Sequence, residues 1–323
     1  MASIDRRQAL VATFAASIAG RLPAAPTPAR VEPDETIALW PGLAPGMPAT
    51  PPVETIEERS KDAQAPDRAV RGIVRPRLAV FRPATPNGTA VLVAPGGGYR
   101  WVVVDKEGYE IGRWLAARGY TVFVLFYRLP GDGWAAGPDV ALSDAQRAMR
   151  LIRQRAASYG LRTDRVAAMG FSAGGHVCGD LATRYDARVY VPVDAADALS
   201  ARPDVAAPIY AVQSMAAPMA HKGSRDLLIG ADASSARERA HTPAHNVTRA
   251  TAPCFMVHAE DDDVVPIDNT LAMRAALKAA GVAVETHLFA EGGHGFGLRR
   301  AQGRPVAIWP ELFHRWAQTH GLG

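Results

Sequence analysis

Only two cysteines, Cys178 and Cys254, occur in the 323 residues. They show no metal-ligand spacing, which excludes a thiolate metal centre. Both lie in apolar segments, which predicts buried, inert thiols; the sequence does not decide whether they pair. The excess of one charge sign is small too: 36 Lys and Arg against 32 Asp and Glu leave a formal net charge of +4. The basic residues are scattered, with no stripe and no RNA-binding motif, which excludes a nucleic-acid binder. No apolar run reaches the ~20 residues that cross a bilayer, so no membrane insertion is expected. There is no internal repeat, and no linker separates two cores.

What is present suits an ordinary globular protein. The chain is 48% hydrophobic and 21% charged, enough to bury a sizeable core. Arg6-Arg7, followed by an Ala-rich apolar stretch to Gly20, reads as a twin-arginine export signal. It predicts a periplasmic or secreted protein. Leu22 to Arg30, rich in Pro and Ala, reads as a flexible segment. Residues 1–30 are therefore set apart from a single domain over 31–323.

Short apolar runs alternate with helical periodicity along the rest of the chain. Strands are expected over Ile73–Arg82, Thr89–Ala94, Tyr120–Tyr127, Arg165–Met169, Ala206–Val212, Pro253–Ala259 and Val282–Phe289. Helices are expected over Asp105–Arg118, Pro138–Tyr159, Gly175–Thr183, Ile267–Ala280 and Val306–Gln318. The alternation predicts an α/β fold, a mostly parallel sheet with helices on both faces. Glu54–Arg68 reads as polar surface, and Trp40 as a clamp onto the body. The aperiodic span 190–250 contains a polar stretch, His221–Asn246, expected to form a small lid.

One turn organises the chemistry. Gly170-Phe171-Ser172-Ala173-Gly174 sits between a strand and a helix, as a nucleophile elbow does. Gly170 and Gly174 suit a turn too tight for side chains, and Ser172 is expected in a strained conformation. Three further strand ends carry reactive groups: Pro95-Gly96-Gly97-Gly98-Tyr99, Glu260-Asp261-Asp262-Asp263 and Gly292-Gly293-His294-Gly295. Ligands gather at such strand ends in parallel sheets. The glycines after Pro95 do not form a dinucleotide loop, because the third glycine of that pattern falls on Trp101.

A serine needs a base, and the base needs an orienting carboxylate. His294 is the expected base, on a glycine-flanked loop past a strand end. Asp262 is the expected acid, four residues before Pro266, with Asp261 and Asp263 as alternatives. Three adjacent aspartates lack the spaced oxygens of a hard-metal site, so no metal and no cofactor is expected. The amides of Gly97, Gly98 and Ala173 are the expected oxyanion donors. His176 is expected to support the elbow by hydrogen bonding, His258 to lie in the core, and His221, His241 and His245 on the lid. Trp134 and Met215 are expected beside the acyl pocket.

Taken together, Leu39-Trp40-Pro41-Gly42, Pro95-Gly96-Gly97-Gly98-Tyr99, Tyr127-Arg128-Leu129-Pro130, Asp144-Ala145-Gln146-Arg147-Ala148, Gly170–His176 and Gly292–Gly297 resemble a bacterial group of α/β-hydrolases. The group contains acetyl xylan and feruloyl esterases, and the resemblance spans about 37–317. It implies an α/β-hydrolase fold, a triad of Ser172, Asp262 and His294, and oxyanion donors on Gly97 and Gly98. It also implies hydrolysis of small acyl esters, acetyl above all, on xylan-type or other carbohydrates, with a short-chain carboxylesterase or feruloyl esterase as the alternative and a non-catalytic carbohydrate-binding protein as the alternative of another class. Where lipase-like relatives carry His-Gly-Gly-Gly, this chain has Pro95.

Overall fold

Runs of β-branched and aromatic residues form eleven strands in the computed structural model, which describes residues 32–323. The main sheet has eight of them. In spatial order they are β1 (Glu35–Ala38), β4 (Arg77–Phe81), β7 (Thr121–Phe126), β5 (Ala90–Ala94), β8 (Val166–Phe171), β9 (Val205–Ile209), β10 (Cys254–Ala259) and β11 (Val284–Phe289). The run from β7 to β11 is wholly parallel, and β1 and β4 are antiparallel additions. Strands β5, β7, β8, β9 and β10 are buried at every residue. Continuous apolar runs such as Thr-Val-Phe-Val-Leu-Phe suit strands covered on both faces. At the edge, β11 reads Val-Glu-Thr-His-Leu-Phe and is only half-buried, so its charges face water and discourage pairing with other chains.

Successive residues of β8 point to opposite faces. Met169 packs with Leu115 of α1 (Glu110–Ala116) and Phe313 of α7 (Trp309–Thr319). Gly170 faces the other way, onto α3 (Ser172–Arg184), against which α2 (Val140–Gln154) also packs. Helices therefore cover both faces. The remaining helices are α4 (Lys222–Ile229), α5 (Ser235–Ala240) and α6 (Asp268–Ala279).

Several elements differ from expectation for identifiable reasons. A second sheet, β2 (Thr55–Glu58), β3 (Arg68–Arg71) and β6 (Val102–Val103), occupies part of the stretch read as polar surface. Strand β2 is exposed at every residue, so it carries no alternating pattern to read. The helix expected from Asp105 opens as a π-turn over Asp105–Tyr109 before α1 begins. There Asp105 accepts from the backbone N–H and guanidinium of Arg68 at 2.7–3.2 Å, and Lys106 and Glu107 are turned inward. The helix expected to Tyr159 ends at Gln154 and gives way to a short 3₁₀ turn. Helix α3 starts at Ser172 itself rather than Gly175, so the serine lies at the helix N-terminus.

Within 190–250, β9 belongs to the main sheet, while α4 and α5 lie between β9 and β10 in the chain. Trp40 is buried, and its indole N–H donates to Asp144 Oδ1 at 2.9 Å. Both cysteines are free and buried, and burial pushes the Cys178 thiol up to about 12. Among the described residues no helix is long and apolar enough to cross a membrane. The export-signal and flexible-segment expectations fall on residues 1–30, outside the described residues.

Candidate active site

Five neighbouring strands, β5, β8, β9, β10 and β11, run parallel and end on the same side of the sheet, β10 and β11 reaching two residues past β9. Ala94 pairs with Gly170, Phe171 with Ile209, and Ala259 with Phe289. The loops that follow therefore emerge together, bringing Pro95–Tyr99, Ser172, Tyr210, Asp261–Asp263 and His294 to one edge of the sheet.

Backbone packed on backbone sets the elbow. A Cβ on Gly170 would lie 2.1 Å from the Gly174 carbonyl oxygen, and one on Gly174 would lie 2.1 Å from that of Ala94. No neighbouring side chain can yield to relieve either contact. Ser172 is left at φ +54°, a left-handed conformation that is strained for a non-glycine residue.

Ser172 Oγ lies 2.8 Å from His294 Nε2, and His294 Nδ1 lies 2.8 Å from Asp262 Oδ2. With Nδ1–H donating to the carboxylate, Nε2 keeps its lone pair toward the serine hydroxyl. Asp262 Oδ1 accepts from the amides of Val264 at 3.0 Å and Val265 at 2.8 Å. Its Oδ2 also meets His258 Nε2 at 3.1 Å. Because that nitrogen also faces the Val265 carbonyl at 3.0 Å, it carries the proton. Burial alone would raise the Asp262 pKa. The hydrogen bonds from His258, His294 and the Val265 amide outweigh it and hold the carboxyl well below the usual carboxylate range.

The other two aspartates take different places. Asp261 Oδ1 accepts from the amides of Gly292 at 2.8 Å and Gly293 at 2.7 Å, which anchors the loop bearing His294. Asp263 is exposed and borders the cavity. His258 is fully buried, with Nδ1 accepting from the Thr270 hydroxyl at 2.8 Å.

Gly97 and Gly98 border the same cavity as Ser172, at φ +133° and +64°. The Gly97 carbonyl accepts from the amides of Arg100 and Trp101, closing the loop on itself. The amides of Gly97 and Gly98 have no acceptor among the described residues. Ala173 is fully buried in the first turn of α3, where backbone N–H groups lack helical partners. Three side chains support the loop that Pro95 opens. Tyr127 donates to the Pro95 carbonyl at 2.7 Å, Glu107 Oε2 accepts from the Gly96 amide at 2.9 Å, and Tyr99 donates to His176 Nδ1 at 2.6 Å. His176 thus holds the glycine loop, and it ties that loop to the His241 carbonyl through Nε2–H at 2.8 Å. Burial lowers its pKa to about 4, so the ring is neutral at pH 7.

The cavity over Ser172 has a volume of about 630 Å³, and Trp101, Val103, Leu227 and Val264 supply its apolar lining. Trp134 and Met215, expected there, are buried elsewhere. Trp134 stacks over the Arg128 guanidinium at 4.8 Å, and the Met215 amide donates to Thr242. His221 does border the cavity, at the N-terminus of α4, where Nδ1 accepts from the Ser224 amide. Lys106 and Glu107 also line the cavity, without a clear signal in the sequence. Their polar run at a helix start reads as solvent-facing, and only its position just past a strand-end loop hinted otherwise. Among the described residues one group has metal-ligand composition, Asp139, Asp180 and His241. The Arg184 guanidinium fills it, 2.8 Å from Asp139 and 3.1 Å from Asp180.

Known proteins resemble the chain in both sequence and fold. It is 30% identical over 227 residues to an acetylxylan esterase of Xylanibacter ruminicola, covering 69% of this chain and 44% of that protein. It is 33% identical over 205 residues to an endo-1,4-beta-xylanase B of Butyrivibrio fibrisolvens, covering 64% of this chain and 32% of that one. The chain thus spans less than half the length of the curated relatives it matches. An acetyl ester-xyloside bifunctional hydrolase from Caldicellulosiruptor lactoaceticus superposes with a TM-score of 0.73 at 29% identity, over 91% of this chain and 99% of that one. A carboxylesterase from Lactobacillus plantarum shares the fold, with a TM-score of 0.63 at 23% identity over 84% and 98% of the two chains. Residues 78–277, more than half of the chain, match the BD-FAE family. The chain belongs to the BD-FAE family and has the α/β-hydrolase fold.

Proposed function

We propose that the chain is a serine esterase that removes acetyl groups from xylan-type carbohydrates. The observation that carries the chemistry is the continuous hydrogen-bonded path from Ser172 through His294 to Asp262, with 2.8 Å at each step. The substrate class is supported by similarity to the acetylxylan esterase and the acetyl ester-xyloside hydrolase.

His294 Nε2 takes the Ser172 hydroxyl proton as Oγ attacks the acetyl carbonyl carbon. The negative charge that develops on the carbonyl oxygen is held by the amides of Gly97 or Gly98 and Ala173. Asp262 stabilises the imidazolium and keeps its tautomer. Collapse breaks the bond to the sugar oxygen, which leaves with the proton from His294, and acetyl remains on Ser172. Water then gives its proton to His294 and attacks the acyl group, releasing acetate and restoring the serine. The α4 segment, with His221 and Leu227 on the cavity wall, acts as the lid. Delivery to the periplasm or the medium rests on Arg6-Arg7 and the apolar stretch that follows.

Acetate release from acetylated xylo-oligosaccharides, run beside p-nitrophenyl acetate and methyl ferulate, tests the assignment. Ser172→Ala is expected to lower turnover at least ~10⁴-fold with the fold intact. Activity confined to p-nitrophenyl acetate would remove the xylan substrate and keep the triad. Equal turnover by the variant and the parent would remove the serine mechanism.

A further inference from the structure

Lys106 lines the catalytic cavity, and its side chain is only 9% exposed. Its ammonium makes no hydrogen bond among the described residues. The one ion-pair contact there is Glu107 Oε1 at 3.9 Å. That carboxylate is already engaged, Oε1 with the Tyr210 hydroxyl at 3.0 Å and Oε2 with the Gly96 amide at 2.9 Å. An ammonium offers three donors, and a buried one is costly until they are met. The loop after His294 makes room for this lysine. A Cβ on Gly297 would lie 3.2 Å from Lys106 Cγ, and one on Gly295 would lie 3.2 Å from Nζ.

Two more cations border the same cavity. Arg100 and Arg300 are exposed and have no carboxylate partner among the described residues. Arg59, also on the rim, is tied to Asp67 at 2.7 Å. The facing anions are Glu107 and the exposed Asp263. Cations therefore outnumber anions around an ester-cleaving serine. The two carboxylates limit how much negative charge a ligand can bring, which favours a monoanion over a phosphate.

We propose that Lys106, with Arg100 and Arg300, forms a carboxylate subsite in the catalytic cavity. This rests on the carbohydrate-esterase reading, within which the substrate class is an acetylated oligosaccharide carrying a uronic acid. Lys106 binds the carboxylate inside the cavity, and the two arginines draw the anionic sugar to the mouth.

Calorimetric titration of the Ser172→Ala variant tests this without turnover. The two probes are a xylo-oligosaccharide with a glucuronic acid branch and an unbranched one of equal length. The branched probe is expected to bind about tenfold more tightly, ~1.4 kcal/mol, with the advantage shrinking as salt is raised. Adding Lys106→Met, or Arg100→Gln with Arg300→Gln, is expected to bring the two affinities close together. Equal affinities before those changes overturn the subsite. So does a Lys106→Met variant that weakens both probes alike and keeps their ratio, since a merely structural lysine does that. If Lys106→Met does not fold, the double arginine variant decides in its place. An inactive parent that still prefers the branched probe would remove the esterase reading and keep the subsite.

Discussion

Asp144 and Asp262 are both buried carboxylates, and each accepts four or more hydrogen bonds. Asp144 sits under the Trp40 clamp, bound by the Arg128 guanidinium at 2.8–3.1 Å, the Arg128 amide and the Trp40 indole. A permanent cation neutralises it, so its charge is spent on holding the N-terminal segment to β7 and α2. Asp262 is held instead by two backbone amides and two imidazoles. Among the described residues no Lys or Arg pairs with it, and its negative charge faces His294. Permanent pairing makes a clamp. Backbone amides and imidazole N–H groups, by contrast, keep a buried charge ionised, as the proposed mechanism needs for an imidazolium at His294.

Substituting each carboxylate by its amide is the sharpest way to break this contrast. Asp262→Asn is expected to lower kcat by about 10⁴, as amides in triads do by favouring the wrong histidine tautomer. Its stability should change less than that of the other variant. Asp144→Asn leaves the Arg128 charge buried and uncompensated, and is expected to destabilise by about 3–5 kcal/mol. Steady-state kinetics and urea unfolding on both variants read the two effects. Matching losses in both measurements for both variants would erase the distinction.

His176 extends the contrast to a buried group kept neutral. Burial lowers its pKa from 6.5 to about 4, against the raising effect of the His241 carbonyl. Below its ordinary pKa, the unfolded chain binds a proton that the folded chain excludes. Its contribution to stability is therefore whole above about pH 6.5 and lost as pH falls toward 4, by up to about 3 kcal/mol. In His176→Gln the pH slope of unfolding free energy over that window should flatten by about one proton. An unchanged slope would place the acid sensitivity elsewhere.

Asp261 offers the smallest effect. Its hydrogen bonds among the described residues go to Gly292 and Gly293, not to Ser172. Asp261→Ala should lower kcat by ~10- to 100-fold through misplacement of His294, with KM nearly unchanged. A full loss as deep as that of Asp262→Asn would give Asp261 a larger part than positioning.

Much of this site is legible in the sequence. Gly170-x-Ser172-x-Gly174 and the glycine-flanked His294 occupy short local patterns, and Asp262 was separable from its neighbours by its distance to Pro266. The parallel sheet followed from the alternation of buried strands with helices. Other features depend on long-range contacts that leave no local trace. Strand β2 is exposed and lacks alternation. Lys106 and Glu107 look like an ordinary polar helix start, and their inward position goes with contacts to distant partners, Arg68 on Asp105 and Tyr210 on Glu107. His176 follows the elbow directly, yet it supports the glycine loop through Tyr99, a partner 77 residues away. Trp134 and Met215 read as lid residues beside the acyl pocket, but both pack into the core.

The most direct measurement of the Ser172 mechanism is rapid quenching of the enzyme with p-nitrophenyl acetate, followed by mass analysis of its peptides. One acetyl group on the peptide containing Ser172 is expected, absent from Ser172→Ala. Turnover with no acetylated peptide, or acetyl on another residue at full rate, would contradict an acyl-enzyme on Ser172.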